Sequence, residues 1–161
     1  MTHPFFNTSL RRDPNQPRDL RSRIDAQLVE RIEEAVDFVC LDALVQVRRA
    51  HGLAEPVADS AHDRAEYEAG VQGFLARLER DLLADLTTEQ RHRLQAGTRG
   101  VREGSEPLRI QTALAKELPN YWQRFEEVRA AYTAEYIAAG AEPGPSGGER
   151  RGTLRRFLGG R

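Results

Sequence analysis

Of its 161 residues, this chain spends one on cysteine, one on tryptophan, four on histidine and one on lysine, Lys116. A lone cysteine, Cys40, rules out an intramolecular disulfide and any cysteine-rich metal site. Its neighbours Val36, Phe38, Val39 and Leu41 mark it as a small core residue. Long hydrophobic runs are absent as well. No stretch approaches the roughly 20 apolar residues needed to span a bilayer. The opening MTHPFFNTSLRRDPNQP has no apolar signal-type segment, so a cytoplasmic protein is expected. An excess of charge of either sign is also missing: 24 basic and 25 acidic residues leave a net charge of -1. That balance gives no global field for nucleic acid, and any such binding would be local. Strand-like alternation and 20–50-residue repeats are lacking too, which excludes a sheet protein or a solenoid as the expected fold.

What is present is helical periodicity. The composition, 39% hydrophobic and 30% charged, suits one globular domain with much wet surface. From Asp19 as N-cap, Leu20, Ile24, Leu28, Ile32, Val36, Val39, Ala43 and Val47 recur every three or four residues, predicting a first helix over about 19–50. Gly52 ends it, after Arg48 and Arg49 at the negative end of the helix dipole. Ser60, three residues before Asp63, opens a second helix as in a capping box. Its stripe is Tyr67, Val71, Phe74, Leu75, Leu78, Leu82 and Leu86, with Glu66, Gln72, Arg77 and Arg80 opposite. Thr87 or Thr88 caps a short continuation through Leu94 that stops at Gly97. Ser105 and Pro107 start a third long helix. There Leu114, Leu118, Tyr121, Phe125, Val128 and Tyr132 form a seam spaced alternately by four and three, kinked at Pro119. This seam and the adjacent Trp122 predict more apolar area than one partner helix covers, hence a homo-oligomer. The expected fold class is therefore all-α: a bundle of about three long amphipathic helices over 19–138. Flexible tails are expected at 1–18, with its Pro and Asn, and at 139–161, where Gly, Pro and Ser lead to a basic peptide.

Sites of chemistry are few. A Gly-x-Ser-x-Gly elbow, a phosphate loop and a dinucleotide-binding glycine pattern are all missing, and Cys40 is placed too deep to act as a nucleophile. The expectation is a protein without catalytic residues. One metal constellation is available. His62 and Glu66 lie four apart on one helical face, where Glu33, Glu34 or Asp37 of the first helix would complete a site for iron or another divalent metal. The set taken forward is Glu34, His62 and Glu66. Glu-x-x-His, the pattern of di-iron bundles, occurs only as Glu89 with His92.

The ends carry a more specific signal. Ser9, Leu10, Arg11 and Arg12 follow Phe5 and Phe6, while Thr153, Leu154, Arg155 and Arg156 precede Phe157 and Leu158. A hydroxyl-Leu-Arg-Arg tetrad beside apolar anchors thus stands at both termini. Such a peptide suits a groove with an acidic rim, and two copies add avidity. A peripheral nucleic-acid or membrane binder acting through Arg150, Arg151, Arg155, Arg156 and Arg161 is the alternative, disfavoured by the acidic helices.

Gly152-Thr153-Leu154-Arg155-Arg156, after its Gly/Pro linker, resembles the cargo-loading peptides that bind the inner wall of encapsulin shells, where Gly-Ser-Leu-Arg-Arg is one form of the ending. Asn7-Thr8-Ser9-Leu10-Arg11-Arg12 is similar. In the first helix, Glu34-Ala35-Val36-Asp37-Phe38 resembles a stretch of encapsulated ferritins, with Ile32 and Phe38 differing from the acidic residue and tryptophan found there. The resemblance implies cargo of a protein nanocompartment, a shell as partner and, for a ferritin-like cargo, bound iron.

Overall fold

The computed structural model describes residues 20–141. Within them every regular element is an α-helix: α1 (Leu20–Ala50), α2 (Ala61–Leu83), α3 (Thr88–Gly100), α4 (Glu106–Glu117) and α5 (Tyr121–Ala141). The all-α expectation holds, but with five helices rather than about three. The tails at 1–18, and the N-cap expected at Asp19, lie outside the described residues. So does the C-terminal segment beyond residue 141, and α5 carries helix past the expected boundary at 138.

Each helix end has a local cause. At the end of α1, Gly52 takes φ 66°. The Leu53 amide then donates to the Arg48 carbonyl at 2.8 Å and the Gly52 amide to the Arg49 carbonyl at 3.1 Å. That pattern satisfies carbonyls the helix itself leaves open, in a conformation glycine adopts at little cost. At the start of α2 the Ser60 hydroxyl accepts from the Asp63 amide at 3.1 Å. Only half of the expected capping box forms, because the Asp63 carboxylate turns back to accept from the Val57 amide at 2.8 Å. α3 opens with the complete reciprocal box of Thr87 and Gln90. It runs past Gly97, the expected stop, to Gly100.

The third long helix is a correction. A kink was expected at Pro119; the chain instead breaks there into α4 and α5. Leu118 is extended, at φ -106° and ψ 111°, as the clash between a proline ring and the preceding residue favours. The break lets α5 fold back, so that the Tyr121 hydroxyl donates to Gln111 of α4 at 2.9 Å.

α1 is the central element, packing against α2, α4 and α5, while α2 also packs against α4 and α5 and α3 leans on α4. The core unites Val29, Ile32, Val36, Val39 and Leu44 of α1 with Phe74, Leu78 and Leu82 of α2 and Leu114, Tyr121, Phe125 and Val128 further on. Burial of each large apolar side chain stabilises the fold by roughly 1.5–3 kcal/mol. Phe74 sits edge-on to Phe125 with ring centroids 5.5 Å apart. Trp122 packs edge-on against Tyr121 at 5.1 Å, and the Arg31 guanidinium lies 4.4 Å from its ring centroid. The chain's own helices bury Tyr121, Phe125 and Val128 of the aromatic seam and leave Trp122 and Tyr132 half-buried. Two further expectations change on α1: Leu20 and Ile24, the first two positions of its stripe, are exposed, as is Phe38.

Candidate functional site

Arg48, in the last turn of α1, meets the first turn of α2. Its Nη2 donates to Asp63 Oδ1 and to Glu66 Oε1, each at 2.7 Å. Nη1 donates to the Ala54 carbonyl at 3.1 Å. One guanidinium thus ties α1, the connecting loop and α2 together. Side-chain exposure of only 12% for Arg48 and 10% for Asp63 makes this pair more than a surface contact. The hydrogen bond from Arg48, with a second from the Val57 amide, holds the Asp63 carboxyl below the usual carboxylate range. The same bond to Asp63 raises the Arg48 pKa further.

This is also where the sequence placed a metal. His62, Asp63 and Glu66 bring one donor atom each to within 4.8 Å of one another, the one such group of three among the described residues. The expected pairing of His62 with Glu66 forms, at 3.9 Å, with His62 largely exposed. The α1 carboxylates do not join it. Glu34 is exposed and stands fourteen residues before Arg48, about 21 Å along a helix rising 1.5 Å per residue. Glu33 and Asp37 are similarly displaced. Arg48 already supplies a positive charge there, bonded to one oxygen of each carboxylate. Sequence reading missed Arg48 and Asp63 as members of this cluster. The available signals were the spacing of Ser60 and Asp63 and the basic last turn of α1. Glu89 and His92 are both exposed, at the start of α3.

A second polar group lies inside the bundle. Asp37 of α1 is 7% exposed, and the Tyr67 hydroxyl of α2 donates to its Oδ1. Its Oδ2 is buried with no hydrogen-bond partner. One turn earlier on the same face is the half-buried Glu33; one turn later is Cys40, 4% exposed, the core cysteine the sequence suggested. Burial pushes the Cys40 thiol up, which agrees with an unreactive side chain.

Between α2 and α5 runs an open cleft of about 460 Å³, floored by Gly73 and Ala76 and walled by Tyr132 and Tyr136. The two rings stack with centroids 5.7 Å apart. Arg77 on its rim is taken by Glu135 at 2.6 Å and Asp81 at 3.2 Å, so its charge is already matched.

The terminal tetrads, Ser9 to Arg12 and Thr153 to Arg156 with Phe157 and Leu158, lie outside the described residues. Comparison with protein-family models, with curated proteins and with solved structures gives no match to this chain. No helix among the described residues is long and apolar enough to cross a membrane.

Proposed function

We propose that this protein is a non-catalytic helical interaction protein that docks onto a larger protein assembly through its two Leu-Arg-Arg peptides, with cargo on the inner wall of an encapsulin-type shell as the specific form. The observation that carries the reading is the repeated tetrad: Ser9-Leu10-Arg11-Arg12 at one end and Thr153-Leu154-Arg155-Arg156 at the other. Between them, residues 20–141 contain a helical body with a continuous apolar core, which suits a scaffold.

The chemistry of docking follows from the peptide. Leu10 or Leu154, aided by the neighbouring phenylalanines, supplies an apolar anchor for a groove. The paired guanidiniums then form charge-assisted, bidentate hydrogen bonds with carboxylates on its rim. Each peptide orders itself on binding, which costs affinity. Two on one body recover it, since the second binds at an effective concentration set by its tether.

The test is co-purification from the native cell of the full-length protein and of a Leu10→Ala, Leu154→Ala double variant. Loss of a large partner from the double variant is expected. Undiminished recovery of that partner would contradict the reading.

A further inference from the structure

We infer that Glu33, Asp37 and Tyr67 form a proton-operated latch between α1 and α2, closed while the two carboxyls carry protons and loosened when they ionise. This inference stands apart from the docking reading. Its basis is the geometry of the bundle interior. Asp37 is more than nine-tenths buried, its one side-chain hydrogen bond among the described residues comes from Tyr67 across the helix pair, and its second oxygen has no partner among them. An ionised carboxylate in that position lacks both water and a counter-charge. A neutral carboxyl tolerates it far better. Glu33, four residues earlier, presents a second carboxyl to the same face.

Among the described residues, no cation pairs with either carboxyl. The charges that act on Glu33 are Asp37, Glu30 and Glu34, all acidic; together with burial, the larger effect, they push its pKa up to about 7. Burial raises Asp37 to about 6, assisted by Glu34 and opposed by the hydrogen bond from Tyr67. From α5 the ionisable groups turned this way are Tyr132 and Tyr136, which both feel Cys40, Tyr136 also feeling Glu66 and Arg48. On α4, Lys116 pairs with Asp25, Glu117 with Arg93, and Arg109 donates to the Val101 carbonyl. Arg48 is held by Asp63 and Glu66, Arg77 by Glu135, Arg129 by Glu126, and Arg31 lies over Trp122. Two carboxyls one turn apart, with no counter-ion among the described residues and one of them bonded across helices by a tyrosine, make a contact that responds to protons near neutrality.

Ionisation changes what the contact can do. Two adjacent negative charges repel each other and draw water, and both effects favour separating α2 from α1 at this level. Cys40, three residues from Asp37 and the only cysteine in the chain, reports such opening.

The test measures maleimide labelling of Cys40 in the full-length protein at pH 6 and pH 8. Rates are divided by those of the urea-unfolded chain at the same pH, which removes the thiol's own ionisation. Wild type is expected to show normalised labelling about tenfold or more faster at pH 8, the factor that one pKa unit represents. Glu33→Gln should weaken that dependence, and a Glu33→Gln, Asp37→Asn double variant should abolish it. If Asp37→Asn prevents folding, Glu33→Gln alone decides, because its half-buried site accepts the isosteric amide. A normalised rate independent of pH in wild type, or a full wild-type pH dependence in Glu33→Gln, would overturn the latch.

Discussion

Tyr67 and Asp37 join α2 to α1 inside the bundle, thirty residues apart in sequence, through a hydroxyl that donates to a carboxylate 7% exposed to solvent. The arrangement reverses the usual dependence of stability on acid. In the folded chain Glu33 and Asp37 are raised to about 7 and about 6, from ordinary values of 4.5 and 3.8. Between those limits the native state holds protons that the unfolded chain has released. Stability from these groups is therefore fully present below about pH 4 and declines as pH rises through about 7. Thermal melts from pH 5 to pH 8 should show a falling Tm, flattened in Glu33→Gln. An unchanged slope in that variant would assign the dependence to other groups.

The Arg48 junction predicts a contrast between two arginines. Arg48 has a side chain 12% exposed and bonds to two carboxylates, whereas Arg80, 70% exposed, pairs with Asp81. Arg48→Ala leaves Asp63 partly buried without its partner and should lower Tm by several degrees. Arg80→Ala should change stability by no more than about 0.5 kcal/mol. Equal effects in urea titrations would show that the junction contributes no more than a surface pair.

Core and cap substitutions test the packing. Phe74 is fully buried between the rings of Phe125 and Tyr132, so Phe74→Ala should cost about 3–5 kcal/mol. Thr87→Ala removes the reciprocal cap of α3 and should cost about 1 kcal/mol. Both are readable from urea midpoints. A Phe74→Ala cost near that of Thr87→Ala would contradict the arrangement of the core.

Arg48 also decides the expected response to metals. With its guanidinium on Asp63 and Glu66, added Zn²⁺ or Fe²⁺ should leave Tm unchanged, and His62→Ala should be silent. A zinc-dependent rise in Tm that disappears in His62→Ala would show that a metal displaces the arginine.

Much of this architecture is legible in the sequence, and its misreadings have physical reasons. The stripe of α2 from Tyr67 to Leu82, the glycine stop at Gly52 and the cap at Ser60 are local signals that the structure keeps. The break at Pro119 was read as a kink because the four-three spacing continues across it. A turn between two helices can preserve that spacing, as Leu118 and Tyr121 do while both remain buried. The polar features are less legible because they depend on register between helices. Nothing in the spacing of His62 and Glu66 says that Arg48, rather than Glu34, faces them. Nor does a run of acidic residues on α1 reveal that Asp37 turns inward to Tyr67 while Glu34 faces water. The terminal tetrads are visible in the sequence alone, and they carry the functional reading.

The most direct measurement of that reading is affinity purification from the native cell using full-length protein and a variant lacking both 1–18 and 148–161, with circular dichroism on each. Helicity should be nearly equal in the two, and a large protein assembly should be recovered only with the full-length chain. Deletion of one tail should retain part of the binding, weakened by roughly 10²-fold or more through lost avidity. Recovery of the same assembly with the doubly truncated protein would contradict the account.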